Sequence, residues 1–127
     1  MDMDTLASLT FSQVPGARLA GVVDMTTGMF LAIEAGNLPQ RELDLLAISA
    51  RELFFGAVGT GLRQSFVGEN DRQQLKDVIV VGEKTVFMFA RLPQSDAAAI
   101  VVACDKKAQL GMITMTIAKI RDGFGKA

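Results

Sequence analysis

Three glycines close together in "FFGAVGTGLRQ" are the feature of this chain best suited to chemistry. Gly56 and Gly61 match the outer glycines of a phosphate-binding loop, whose backbone amides would cradle an anion. The rest of that motif fails. Leu62 and Arg63 stand where lysine and then serine or threonine are needed, and the residues before them have helical rather than strand periodicity. The dinucleotide spacing fails as well, because the gaps from Gly56 to Gly59 to Gly61 run in reverse order. These glycines read instead as permitting close packing or unwinding late in a helix.

Acid and base chemistry is no better provided for. The chain has no histidine, tryptophan or tyrosine, and its carboxylates are scattered as single surface-type residues rather than convergent pairs. No set of residues has metal-ligand spacing. Cys104, the single cysteine, lies in the apolar run "AAAIVVAC", where it reads as a small buried hydrophobe without an activating base. The expectation is a protein that is not an enzyme, with no catalytic residue, cofactor or metal site.

Composition narrows the partners. With 127 residues the chain is expected to form one domain spanning 1–127, and half of it is hydrophobic, enough for a core without metal or disulfide support. Its 13 Lys and Arg against 14 Asp and Glu create no long-range field for nucleic acid or anionic lipid. A lone cysteine suits a reducing compartment. "MDMDTLASL" carries two aspartates where a secretory signal carries positive charge, and "AAAIVVAC" falls far short of the ~20 residues that span a bilayer. A soluble cytoplasmic protein with no membrane insertion and no nucleic-acid partner is expected.

The elements that would hold a functional surface are well marked. Asp4 is positioned to cap a short helix carrying Leu6, Leu9 and Phe11, stopped by Val14, Pro15 and Gly16. Residues 17–24 and 29–34 read as a hairpin whose turn uses Gly28 for its positive φ and Asp24 to bind turn amides. Pro39 opens a long helix from about Gln40 to Phe66. After the polar loop "GENDRQQ", residues 76–81 and 85–92 form a second hairpin across "GEK", and 97–104 a further strand. Asp105 is read as the cap of a last helix with Leu110, Ile113, Ile117, Ile120 and Phe124 at helical spacing, ended by Gly123 and Gly125. The order α-β-β-α-β-β-β-α predicts an α+β fold: a single five-stranded antiparallel sheet with helices on both faces.

The long helix has more apolar surface than docking on a sheet requires. At 100° per residue, Leu43, Leu46, Ala47, Ala50, Leu53, Phe54, Ala57 and Val58 form a broad face for the sheet. Ile48, Phe55 and Leu62, spaced by seven, point roughly 120° away, with Phe66 on the same side and Leu45 and Gly59 close by. Burying one such side chain contributes roughly 1.5 to 3 kcal/mol, so this row either forms a subunit interface or lies under loops of the same chain. Asp44, Arg51 and Glu52 would frame it as a partner surface or simply be solvated. The methionines, among them Met25, Met29, Met88, Met112 and Met115, suit either an adaptable surface or a core.

"VPGARLAGVVDMTTGMFLAI", "LDLLAISARELF", "FMFARL" and "AAIVVACDKKAQLGM", in that order, resemble the roadblock family of dynein light chains and their bacterial relatives, including the mutual gliding protein B type. The resemblance extends over nearly the whole chain. It implies a roadblock/profilin-like fold and homodimers in which the long helices pair and the third strands meet, joining two sheets. Leu45, Ile48, Phe55, Gly59 and Leu62 would then lie at the dimer face, with Val78 and Val80 on the strand edge that the partner covers. The resemblance also implies a non-catalytic regulatory or scaffold protein serving a small Ras-like GTPase or a polarity, motility or signalling complex. The alternative is a small-molecule-sensing module, since helix-covered antiparallel sheets also bind ligands.

Overall fold

The computed structural model describes residues 2–36, 38–66, 75–93, 95 and 97–126. The polar loop read at 68–74 lies outside the described residues, as do the side chains of Val58 and Phe66.

The elements follow the predicted order: α1 (Met3–Gln13), β1 (Ala17–Asp24), β2 (Met29–Ala35), α2 (Gln40–Phe55), α3 (Ala57–Phe66), β3 (Asp77–Val81), β4 (Thr85–Arg91), β5 (Ala98–Asp105) and α4 (Leu110–Lys126). The five strands make one sheet in the order β2-β1-β5-β4-β3, with every neighbouring pair antiparallel. The α+β class and the sheet with helices on both faces are as the sequence predicts.

β5 is central, and its residues from Ala98 to Cys104 are all buried. A continuous apolar run rather than an alternating one is what a strand covered on both faces requires. On one face Val22, Met88, Ile100 and Val102 pack with Leu6 of α1 and with Ile113, Ile117 and Ile120 of α4. On the other, Leu19, Val23, Phe89 and Val101 pack with Ala47, Ala50 and Phe54 of α2. The first β-turn is as read, with Gly28 at φ +71 and the Asp24 carboxylate accepting from the Thr26 amide at 2.9 Å.

Three readings of helix ends are corrected. Asp2, not Asp4, caps α1, its Oδ1 accepting from the Thr5 amide at 2.7 Å; the aspartates are two apart, and only the first precedes the helix. The Thr5 side chain, and after it the Thr5 amide, hold the Asp2 carboxyl below its ordinary pKa. Asp105 caps a turn instead of α4, its Oδ1 accepting from the Lys107 amide at 3.0 Å, and α4 starts five residues later. That helix also runs through Gly123 and Gly125, because helix-interior glycine costs only about 1 kcal/mol and packing of the helix outweighs it.

The long helix is broken. Gly56 is extended, with φ −78 and ψ −175, and separates α2 from α3. A Cβ on Gly56 would collide with the carbonyl oxygen and side chain of Glu52, and one on Gly59 with the carbonyl of Leu53. The two glycines let α3 fold back against the last turn of α2, and Ala57, expected on the sheet face, is left exposed. By length and composition Gln40–Ser65 could cross a bilayer, since it holds an 18-residue window of mean hydropathy 1.3 despite Arg51 and Glu52. Here its α2 part covers a sheet.

A further close approach sits at Gly21 of β1, where an added Cβ would lie 2.6 Å from the Phe30 ring and 2.8 Å from the Ala32 carbonyl oxygen. Part of that clash is with backbone. Gly21→Ala is therefore expected to destabilise the fold by about 1–3 kcal/mol, read as a lower midpoint in urea unfolding with an unchanged slope.

Candidate protein interface

The glycine-rich stretch does not build an anion cradle. Helix α2, not a strand, leads into it, the Gly56 amide donates to the Glu52 carbonyl at 2.9 Å and the Thr60 amide to the Gly56 carbonyl at 3.0 Å. Gly59 is buried against its own chain and so is withdrawn from the face on which the helical projection placed it. Cys104 is buried, and burial pushes its thiol up to about 11, away from the thiolate a nucleophile requires. Among the described residues no cluster of three or more His, Cys, Asp or Glu could hold a metal.

The geometry instead draws attention to what α2 leaves uncovered. Helix α2 seats Ala47, Ala50 and Phe54 on the sheet, with Leu43, Leu46 and Leu53 half-buried beside them. Along the flank facing β4 and β3 the sheet is bare. A cavity of about 490 Å³ opens there between Arg18, Glu42, Leu45, Thr85 and neighbours, and a second of about 380 Å³ between Glu52, Leu53, Val80 and Phe89. Both include Leu46, Ser49 and Phe87, so they form one groove running beside α2.

The groove ends at an unguarded sheet edge. β3 pairs with β4 in unbroken register from Asp77 to Val81, while Ile79, Val80 and Val81 are 38%, 41% and 62% exposed. Nothing in "VIVV" blunts it, since protected edges usually carry a proline, a lysine or a bulge. The opposite edge differs. β2 has a register shift against β1 between Val22 and Val23, which disturbs its ladder.

The residues expected at the interface are thereby divided. Leu45 and Val80 line the groove, and Val78 packs half-buried beneath it. Ile48 lies on the other flank, where it and Arg51 approach Gly28 of the β1–β2 turn, and Phe55, two helical turns along, shares that side. Leu62 is exposed on α3. Of the framing charges, Glu52 lines the groove, whereas Asp44 accepts from the Gln40 side chain at 3.0 Å. Arg18, Leu46, Ser49, Phe87 and Phe89 were missed as site residues. Leu46, Ser49 and Leu53 do share one side of the helical projection, but only the position of the sheet reveals that this side faces open space.

The bare edge is anchored from the opposite face of the sheet. Arg121 of α4 is 2% exposed and forms an ion pair with Asp77 at the start of β3. Its guanidinium also donates to the Arg91 carbonyl of β4 at 3.4 Å.

The antiparallel sheet has two helices on one face and α2 on the other, and the fold is roadblock-like. No protein-family model and no curated protein matches the chain. Among solved structures, the Roadblock/LC7 domain from Streptomyces avermitilis aligns with a TM-score of 0.77 at 17% identity, covering 99% of this chain and 97% of that one. MglB from Myxococcus xanthus gives 0.75 at 20% identity over 98% and 85% of the two chains. An MglB with a tetrameric arrangement gives 0.74 at 21% identity over 96% and 84%.

Removing the carboxylate of Asp77 would leave the guanidinium of Arg121 buried without its counter-charge, whereas replacing Arg121 by methionine keeps volume and removes the charge. Asp77→Ala is thus expected to cost about 1–3 kcal/mol of stability, and Arg121→Met less, as compared by urea denaturation of the two variants.

Proposed function

We propose that the chain is a non-catalytic homodimeric scaffold whose paired helices offer a platform to a protein partner, a small Ras-like GTPase or a larger polarity, motility or signalling complex. The carrying observation is the apolar groove beside α2 that ends at the bare β3 edge. A twofold rotation would lay the α2 helix of a second copy into the groove and pair β3 with its counterpart, joining two sheets. Several half-exposed side chains buried together, at roughly 1.5 to 3 kcal/mol each, offset the cost of association. The groove is elongated along a helix rather than rounded about a small molecule, which favours a helical occupant over the ligand-sensing alternative.

Such a dimer would keep Ile48, Arg51 and Phe55 on its outer flanks, where a partner could reach them. The choice of a GTPase-related partner is supported by the family resemblance of the sequence together with the likeness of the fold to MglB. Assembly into more than one copy is in keeping with the tetrameric arrangement of one such neighbour.

Light scattering over a dilution series tests the dimer. The wild type is expected at twice the monomer mass, Val80→Lys as a folded monomer, and Phe55→Glu as a dimer. A monomeric wild type removes the dimer, and splitting by Phe55→Glu alone moves the interface to the other flank. The partner is tested by calorimetry with a Ras-like GTPase encoded in the same genome, loaded in turn with a GTP analogue and GDP. At least a tenfold preference for one nucleotide state is expected, equivalent to about 1.4 kcal/mol; equal binding or none removes the GTPase from the reading.

A further inference from the structure

We propose that Arg18 and Glu52 pair across the twofold axis and fix the register in which two copies dock. The proposal rests on the homodimer reading above and adds the polar contact that selects one arrangement of the helices. Arg18, exposed on β1, lines one end of the groove, and Glu52, exposed near the end of α2, lines the other. The middle is common ground: Leu46, Ser49 and Phe87 line both cavities.

That placement is self-complementary. Glu52 lies one helical step of three residues beyond Ser49, about 4.5 Å along the axis. Rotation about a twofold at Ser49 carries it an equal distance the other way, beside Leu45 and Leu46 of the second copy, where the Arg18 cavity opens. The same rotation returns the second Arg18 to the first Glu52, giving two identical pairs. The sheet agrees with this axis, since Val80 is the cross-strand partner of Phe87 and sits on the β3 edge that would meet its own copy.

Both charges come to the groove uncommitted. Among the described residues the one ion pair is that of Arg121 with Asp77. Glu42 shares the cavity with Arg18 but does not form an ion pair with it. Docking would enclose the guanidinium and carboxylate between Leu45, Leu46, Leu53 and Phe87, where opposite charges attract more strongly than in water and an unmatched charge is penalised. Parallel helices would bring Arg18 to Arg18 and Glu52 to Glu52. The pair therefore favours the antiparallel register and opposes the parallel one.

The test exchanges the charges on separate chains. Arg18→Glu alone and Glu52→Arg alone each place like charges together twice, so each is expected to dimerise at least tenfold more weakly than wild type in analytical ultracentrifugation. An equimolar mixture restores opposite charges at both contacts and is expected to form a heterodimer with near wild-type affinity. A chain carrying both substitutions is expected to dimerise again with itself. Far-ultraviolet circular dichroism of each single variant at 25 °C, expected to match wild type, separates lost pairing from lost folding, since weaker dimerisation alone lowers a melting temperature.

If the single variants dimerise as tightly as wild type while Val80→Lys does not, the dimer stands and the ion pair falls. Weak single variants that mixing does not rescue also overturn the pair. A wild type that stays monomeric overturns both readings together.

Discussion

The structure depends on an unequal covering of one sheet. An antiparallel sheet whose central strand is buried on both faces needs apolar cover on each side. Helices α1 and α4 together cover one face, with Leu6, Ile113, Ile117 and Ile120 over the inner strands. The other face has α2, which lies over β1, β2 and β5, and Phe87 and Val80 are left at the wall of a groove. The groove is the remainder after one helix has been placed on a face wide enough for two.

The same imbalance explains why β3 can be so apolar without being loose. An edge strand has neighbours on one side only, so its outer backbone groups face solvent and its position depends on whatever holds its other contacts. Here the β4 ladder is supplemented by a buried guanidinium reaching from α4. The edge stays straight and in register because the opposite face of the sheet fixes where it begins. The β2 edge is treated differently: a register shift and the Ser8 hydroxyl donating to Glu34 at 2.8 Å tie it to its own chain. One edge is closed off and the other is offered.

Much of this was legible in the residues. Gly28 and Asp24 marked the first hairpin, apolar segments either side of "GEK" the second, and the run at 97–104 the last strand, which the structure buries on both faces. The caps were misread where two candidates compete within a few residues, because the choice between Asp2 and Asp4 turns on which backbone amides are free, not on residue type. The exposed apolar row was legible in part. Treating Gln40–Phe66 as one ideal helix aligned Ile48, Phe55 and Leu62, but the break at Gly56 uncouples Leu62 from the other two. Which flank of α2 faces open space is a property of where the sheet lies, and no helical projection contains it. Arg18 was invisible for the same reason: it reaches the groove from β1, far along the chain from α2.

The glycines that looked like a phosphate loop have a geometric role in this arrangement. Helix α2 has 16 residues, about 24 Å along its axis, and β4 has 7, about 24 Å along its strand. Helix and strand are thus of matching length, and both line the groove. Gly56 and Gly59 end the helix at Phe55 by allowing backbone contacts with Glu52 and Leu53 that no Cβ would tolerate. The residue types that suggested chemistry set the length of α2 instead.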